Sequence, residues 1–361
     1  MAKSEVAHVT AGDREVRISS PDRVIYEATD RTPEITKLQV AEFFAAVSAG
    51  FMHANGNRPV ALERWPGGWR EGMTLSVGPA GQQNGDGFYS KRLPKGAPDW
   101  LLTTRVTTPN GRPIEELCIS ESAAVVWAAQ MGALTFHPWA VRSDDVEHPD
   151  ELRIDLDPQP GATFADAQRV AEMTRELLAD LGIRAFPKTS GNRGIHVYVR
   201  IKPEWGFEDV RHAVIGFGRA LEGRDSGVTT NWWKEERPDR SIFVDFNQNL
   251  RDRTVAGAWS LRPRPGAPVS TPMTWAQLAE VKDPRDFNLM TVPDFLASGD
   301  PWADIDDTLH SLDPLLQLWE ELPGGEMNFP PDYPKMPGEP PRVQPSKKVA
   351  SHWDEDGNRV E

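Results

Sequence analysis

The sequence predicts a mixed α/β (α+β) protein whose most regular part is a β-α-β-β-α-β unit between Leu152 and Phe246. Three observations predict it. A hydrophobic strand, Leu152-Arg153-Ile154-Asp155-Leu156-Asp157, precedes an amphipathic helix with its own start and stop signals. Two strand-like segments flank the glycine-rich turn Ser190-Gly191-Asn192-Arg193-Gly194. A second helical stretch then leads into Ser241-Ile242-Phe243-Val244-Asp245-Phe246.

Residues 1–150 show a weaker pattern, with a helix around 36–47, short strands near 59–64 and 87–91, and a helix around 120–130. The first strand of the regular unit covers 152–157. Thr163 with Asp166 three residues on reads as a capping-box start, and Val170, Met173, Leu177, Leu178 and Leu181 follow at helical spacing until Gly182 stops the helix. Residues 183–187 form the second strand, and Ile195-His196-Val197-Tyr198-Val199 the third. A helix runs from 207 to about 221, and 241–246 is the fourth strand. This order is the ferredoxin-like, RRM-like split βαβ unit, in which the first strand lies between the third and fourth. Residues 314–345 hold nine prolines. They are expected to run extended along the surface without a helix, pinned away from the cleft by Trp319, Phe329 and Tyr333, with Trp353 following and the last ten or so residues disordered. The chain thus divides into an N-terminal α/β module (1–150), an RRM-like module (151–311) and an acidic, proline-rich extension (312–361).

No run of about 18 apolar residues is present, so no membrane partner is expected. A single cysteine, Cys118, excludes internal disulfides and a cysteine-based zinc cluster, and fits a cytoplasmic setting. The net charge of −14 argues at first sight against nucleic acid. From Asp300 to Glu361, however, 14 acidic and 5 basic residues give −9, which leaves −5 on residues 1–299. Basic clusters there, such as Lys91-Arg92 with Lys95, Arg251 with Arg253, and Arg262 with Arg264, are compatible with a locally positive cleft.

Side chains at i and i+2 of a strand share a face, so Asp155 and Asp157 stand side by side. Their repulsion is relieved by a cation, and an oxygen-only donor set points to Mg²⁺ or Mn²⁺. The fold brings Asp245 from the fourth strand and His196 from the third to the same face. Three carboxylates holding two metals suit phosphoryl transfer. Ser190, Gly191 and the amides that follow can cradle phosphate oxygens, and His196 can donate a hydrogen bond to them. Phe88 and Tyr89 precede Lys91, a pattern suited to stacking on a base while the lysine meets a phosphate. Taken singly, each feature also has a structural explanation; for Asp245 it is an ion pair with Arg240 or Arg251.

The blocks Ile154-Asp155-Leu156-Asp157-Pro158, Thr189-Ser190-Gly191-Asn192-Arg193-Gly194-Ile195-His196 and Phe243-Val244-Asp245-Phe246-Asn247-Gln248-Asn249 resemble the signature motifs of the archaeo-eukaryotic primase superfamily. More narrowly, from about Glu15 to Ser311 the chain resembles the polymerase domain of bacterial ligase D and the stand-alone Prim-PolC proteins associated with ligase C. Arg64-Trp65-Pro66, Phe136-His137-Pro138-Trp139 and Ser260-Leu261-Arg262-Pro263-Arg264-Pro265 add to the match. The resemblance implies a primase-polymerase that extends a primer 3′-OH on gapped DNA from nucleoside triphosphates, favours ribonucleotides, acts in repair near the nucleoid and works with an ATP-dependent DNA ligase. It implies metal-binding catalytic roles for Asp155, Asp157 and Asp245. Nucleotide binding is implied for His137, Ser190, Gly191, His196, Arg262 and Gln248, and for Arg240 or Arg237. DNA binding falls to Phe88, Tyr89, Lys91, Lys95 and, for a 5′-phosphate, Arg23. Glu63 departs from the basic residue common before the Arg-Trp pair, and the acidic tail has no counterpart. Two rival classes are an aspartate-nucleophile phosphotransferase, which Pro158-Gln159 after the pair does not suit, and a non-catalytic RRM-like module, whose sheet would expose aromatics instead of aspartates.

Overall fold

The computed structural model describes residues 6–76 and 85–342. The N-terminal part opens with the hairpin β1 (Val6–Ala11) and β2 (Arg14–Ser19), then β3 (Val24–Tyr26) and β4 (Ile35–Thr36). Helix α1 (Lys37–Ala46) starts at a capping box in which Thr36 and Gln39 satisfy each other's amides, and α2 (Ser48–Asn55) follows. A six-stranded sheet holds β5 (Pro59–Arg64), β6 (Leu75–Ser76), β7 (Gly87–Ser90), β8 (Leu102–Thr107) and β9 (Pro113–Cys118) in the order β6-β7-β5-β9-β8. After α3 (Ser122–Gln130), β10 (Ala133–Pro138) returns to pair with β5.

The regular unit folds as its pattern predicts. Strand β11 (Glu151–Pro158), α4 (Phe164–Asp180), β12 (Phe186–Thr189), β13 (Ile195–Arg200), α5 (Phe207–Arg224), β14 (Val228–Thr229) and β15 (Ile242–Val244) build a sheet ordered β12-β13-β11-β15-β14. Strand β11 is central, between β13 and β15. The second strand is displaced from 183–187 to Phe186–Thr189, because Ile183 and Ala185 bury themselves in the core before ladder pairing begins. On one face of β11, Leu152, Ile154 and Leu156 pack with Val170 and Leu178 of α4 and Val214 and Phe217 of α5.

The opposite face carries Glu151, Arg153, Asp155 and Asp157 toward the N-terminal part. Arg153 is fully buried, pairs with Glu151 at 2.6 Å and donates to the carbonyls of Pro138 (2.8 Å) and Trp139 (3.0 Å). Arg58 forks onto Asp150, and Arg200 joins Glu151 to Asp306. A buried charge costs free energy unless it is paired, so these arginine–carboxylate pairs tie the two sheets together, although Arg58 Nε has no partner among the described residues. Residues between Val255 and Ile305 cross back to the N-terminal core, which holds Trp259 with Phe44, Phe51 and Phe136, and where Trp302 packs on Phe186 and Tyr198.

Helices α6 (Trp275–Glu280) and α7 (Val292–Ala297) precede the main departure from expectation, α8 (Asp313–Glu321). Pro314 lies in the first turn of α8, where a missing N–H breaks no helical bond, so the proline-rich segment starts with a helix. Beyond it the chain runs without regular structure to Arg342, with Phe329 and Tyr333 buried against Leu250. Trp353 and the last ten residues lie outside the described residues.

Candidate active site

The site lies on the polar face of β11. Register places Asp155 opposite His196 and Asp157 opposite Phe243, and Asp245 follows directly on β15 with its amide donating to the Asp155 carbonyl at 2.9 Å. Each of the three aspartates offers an oxygen within 4.8 Å of the others. Burial, reinforced by the Asp157 and Asp245 charges, pushes Asp155 well above the usual carboxylate range. Asp157 stands at the open edge, yet protein surrounds its carboxylate enough to push it up to about 6, with the Asp245 charge adding to that. Asp245 is also raised by burial, although Gln248 Nε2 (2.8 Å) and the Asn247 amide (3.1 Å) donate to its oxygens.

The trio fits divalent cations. Asp155 Oδ1 is buried and accepts no hydrogen bond within the protein. The arginines that could have paired with Asp245 are elsewhere: Arg251 binds Glu147, and the Arg240 side chain packs over Gly161. Three hard oxygen donors that, among the described residues, no arginine or lysine ion-pairs directly are the donor set of Mg²⁺ or Mn²⁺.

Beside the carboxylates lies an anion-binding arrangement. Ser190 Oγ accepts from the amides of Asn192 (3.2 Å) and Gly194 (3.1 Å), which shapes the loop. Gly191 has φ +70°, and a Cβ there would meet Arg262 Cγ at 2.5 Å. The Arg262 Nε is buried with no protein acceptor. His196 is buried, and its Nδ1 lies 2.8 Å from Lys188 Nζ while Nε2 faces Asp155 Oδ1 at 3.4 Å. Burial, then the Lys188 and Arg262 charges, hold His196 well below the usual imidazole range, so it is a neutral hydrogen-bonding group. Lys188 is itself fully buried and also donates to the Ala256 carbonyl and Ser270 Oγ.

A cleft of about 560 Å³ continues from this centre, lined among others by Tyr89, His137, Gln248, Arg253 and Asp332. His137 Nε2 donates to Glu63 at 3.3 Å, and Trp65 Nε1 donates to the same carboxylate at 3.0 Å. Burial alone would raise Glu63, but His137, Arg262 and Trp65 outweigh it and hold the group below its ordinary value. Glu63 therefore orients His137 instead of reaching for a ligand. Phe88 and Tyr89 are neighbours on β7 and face opposite ways: Tyr89 packs edge-on against His137, and Phe88 lies under Arg64. Lys91 is tied to Asp252, Lys95 lies in an exposed turn, and Arg23 donates to the Pro66 carbonyl at 2.8 Å. Of the two candidate arginines, Arg237 is the one whose charge reaches Asp157 and Asp245; its guanidinium stacks 3.4 Å over Phe243. Arg240 sits at a turn (φ +62°) with its side chain against Gly161.

The model of the LigD primase-polymerase domain family matches residues 36–302. The chain belongs to this family. It is 32% identical to the multifunctional non-homologous end joining protein LigD of Pseudomonas aeruginosa over 82% of this chain and 33% of that protein. It is 28% identical to the Mycolicibacterium smegmatis protein of the same name over 73% of this chain and 32% of that protein. The chain therefore spans about a third of the length of these relatives. The polymerase domain of Mycobacterium tuberculosis ligase D, solved in complex with DNA, superposes with a TM-score of 0.70 at 26% identity, covering 82% of this chain and 99% of that one.

The LigD primase-polymerase match ends at residue 302, so α8 and the segment behind it lie outside the matched region. Three groups at the site were not singled out from sequence. Lys188 is the cross-strand partner of His196, a pairing that the short turn after β12 would have revealed. Asn249 accepts from the Arg153 amide at 2.9 Å and donates to the Arg153 carbonyl at 2.7 Å, taking over where β15 stops pairing with β11. Glu63 was noted only as a departure from the family pattern; its role toward His137 required the β5–β10 register, which sets His137 beside Ala61 and Thr135 beside Glu63.

Proposed function

We propose that the protein is a DNA-templated nucleotidyltransferase that extends a primer 3′-OH with nucleoside triphosphates, favouring ribonucleotides, in short gaps that an ATP-dependent ligase then seals. The observation that carries this reading is the pairing of two unsatisfied buried groups, Asp155 Oδ1 and Arg262 Nε, at one site. One asks for a cation and the other for an anion, as a metal-bound triphosphate provides. Membership of the LigD primase-polymerase family and the likeness to a DNA-bound polymerase domain support it.

In this reading Asp155, Asp157 and Asp245 hold two Mg²⁺ or Mn²⁺ ions, which would supply the positive charge that activates a 3′-hydroxyl and neutralises a leaving pyrophosphate. The chain's own groups do the positioning. The amides of the Ser190–Gly194 loop that its internal hydrogen bonds do not use, those of Gly191 and Arg193, donate to the triphosphate oxygens together with neutral His196 Nε2, and Arg262 adds a charge-assisted bond. His137, fixed by Glu63, faces the sugar, and Tyr89 provides a stacking surface beside it. Lys95, Arg23 and Lys91, once released from Asp252, bind DNA phosphates. Residues 1–150 serve as the template-side module and 151–311 as the catalytic module. Primer extension on gapped DNA with Mn²⁺ or Mg²⁺ tests the reading: template-complementary addition is expected, and its loss in Asp157→Asn ties it to the carboxylates. Hydrolysis of the triphosphate without primer extension would refute it.

A further inference from the structure

Behind the Asp245 turn, outside the matched family segment, residues 322–342 form a strap with an unbroken chain of contacts to the carboxylate. Helix α8 docks the strap's start on α5: Trp319 stacks on His212 with centroids 4.3 Å apart, and its backbone approaches Gly216 closely enough that a Cβ there would lie 2.5 Å from the Trp319 nitrogen. Glu326 then pairs with Arg211 and with His212 (2.7 Å). Arg211 is fully buried, donates to the carbonyls of Met327 (2.9 Å) and Asn328 (3.3 Å), and its guanidinium lies 3.9 Å over Phe329.

The same arginine reaches the catalytic turn. Its Nε donates to Asn247 Oδ1 at 2.9 Å, and Asn247 Nδ2 donates to the Asn328 carbonyl at 3.1 Å. Asn247 is the residue whose amide holds Asp245 Oδ1. Phe329 and Tyr333 bury Leu250 at the far end of the turn, and Asp332 pairs with Arg253 on the cleft wall. The strap is closed on itself by Glu339, which accepts from the Phe329 amide (3.2 Å) and from Arg342 (2.6 Å). The expected location away from the cleft is thereby corrected: Trp319 packs on α5, but Phe329 and Tyr333 pack behind the turn that follows Asp245, and Asp332 lines the cleft.

We propose that this strap is a positioning element for Asp245, so that divalent-cation affinity depends on residues beyond the family's catalytic segment. The proposal rests on the metal role given above for the trio. Groups that orient metal ligands from outside typically change affinity by about 10–100-fold when lost. The turn Phe246–Asn249 is a single 3-10 turn that holds Asp245 through Gln248 and the Asn247 amide, and Asn247 is itself anchored by Arg211 and the Asn328 carbonyl.

The test is Mn²⁺ titration of the full-length protein by calorimetry and electron paramagnetic resonance, without DNA or nucleotide. Phe329→Ala/Tyr333→Ala should bind Mn²⁺ roughly tenfold more weakly than wild type. Glu326→Gln, a milder change that keeps the strap's apolar anchor, should show a smaller loss in the same direction and covers the case in which the double variant does not fold. Circular dichroism confirms folding, and DNA affinity should stay within about twofold if the effect is confined to the metal site. Mn²⁺ affinity equal to wild type in folded variants, with a lower Tm alone, would reduce the strap to a stability element. Markedly tighter DNA binding would instead make it a competitor of DNA, which also overturns the proposal. Asp245→Asn is the control: if it binds Mn²⁺ as wild type does, the metal reading fails and not the strap.

Discussion

Asp155, Asp157 and Asp245 carry the central cost of the site. Each carboxyl is raised above its ordinary range, so ionising all three at neutral pH works against the folded state. Asp155→Asn should therefore raise the Tm of metal-free protein at pH 7 while abolishing primer extension, and added Mn²⁺ should stabilise wild type more than the variant. Thermal melts with and without Mn²⁺ check this; a variant less stable than wild type would show that the carboxylate is already balanced internally. Lys188 is the informative residue beside them. Its amine is buried against His196 Nδ1, and burial with the Arg262 charge holds it well below the usual lysine range, so Lys188→Met removes the hydrogen-bond partner that holds the ring. The KM for nucleotide should rise about ten- to a hundredfold, the worth of one charge-assisted bond of about 1.5–3 kcal/mol, while DNA affinity is unchanged. Steady-state kinetics with DNA titration separates the two. At His137, held by Glu63, ribonucleotides should be incorporated faster than deoxynucleotides at equal concentration. Competition assays with each sugar measure this preference, and equal rates would remove His137 from sugar selection.

At the level of elements, the strap's charge clip gives a pH prediction. Burial would raise Glu326, but His212 and Arg211 outweigh that and bring it down to about 2 from 4.5. A depressed carboxyl contributes stability above its unfolded pKa and loses it as pH falls through the folded value. The Tm advantage of wild type over Glu326→Gln should be full at pH 6 and shrink between about pH 4.5 and 2, from a ceiling of about 3 kcal/mol. A gap that does not change with pH would assign the clip to packing. The same elements show which parts of the fold the chain advertised locally. The β11-α4-β12-β13-α5-β15 unit follows from periodicity, the Thr163–Asp166 cap and one glycine-rich turn, because each signal lies within a few residues of the structure it specifies. The pairing of β10 with β5 and the bracing of Asp245 depend on residues far apart, such as His137 with Ala61 and Arg211 with Asn328. Helix α8 was hidden by prolines that lie beyond it or in its first turn. In the site, the carboxylates and Ser190–Gly191 were readable as strand and turn chemistry and Arg237 was one of two candidates, whereas Lys188 emerges only from register.

For the whole molecule, a net charge of −14 has to coexist with the DNA binding proposed for it. Attraction then comes from local cations, and one of these, Lys91, must exchange Asp252 for a phosphate. Binding should weaken linearly in log–log terms with salt, by a slope of about −0.9 per phosphate contacted on duplex. Lys95→Ala should flatten that slope by about one phosphate's worth, as fluorescence anisotropy across a salt series would show. The measurement that bears most directly on the central claim is single-nucleotide primer extension on a gapped duplex, run with each template base in turn for wild type and Asp245→Asn. Wild type should add the complementary nucleotide opposite every template base in the presence of Mn²⁺ or Mg²⁺, and Asp245→Asn should add none while still binding the DNA. Addition that ignores the template base, or persists undiminished in Asp245→Asn, would contradict the assignment of this site to templated nucleotidyl transfer.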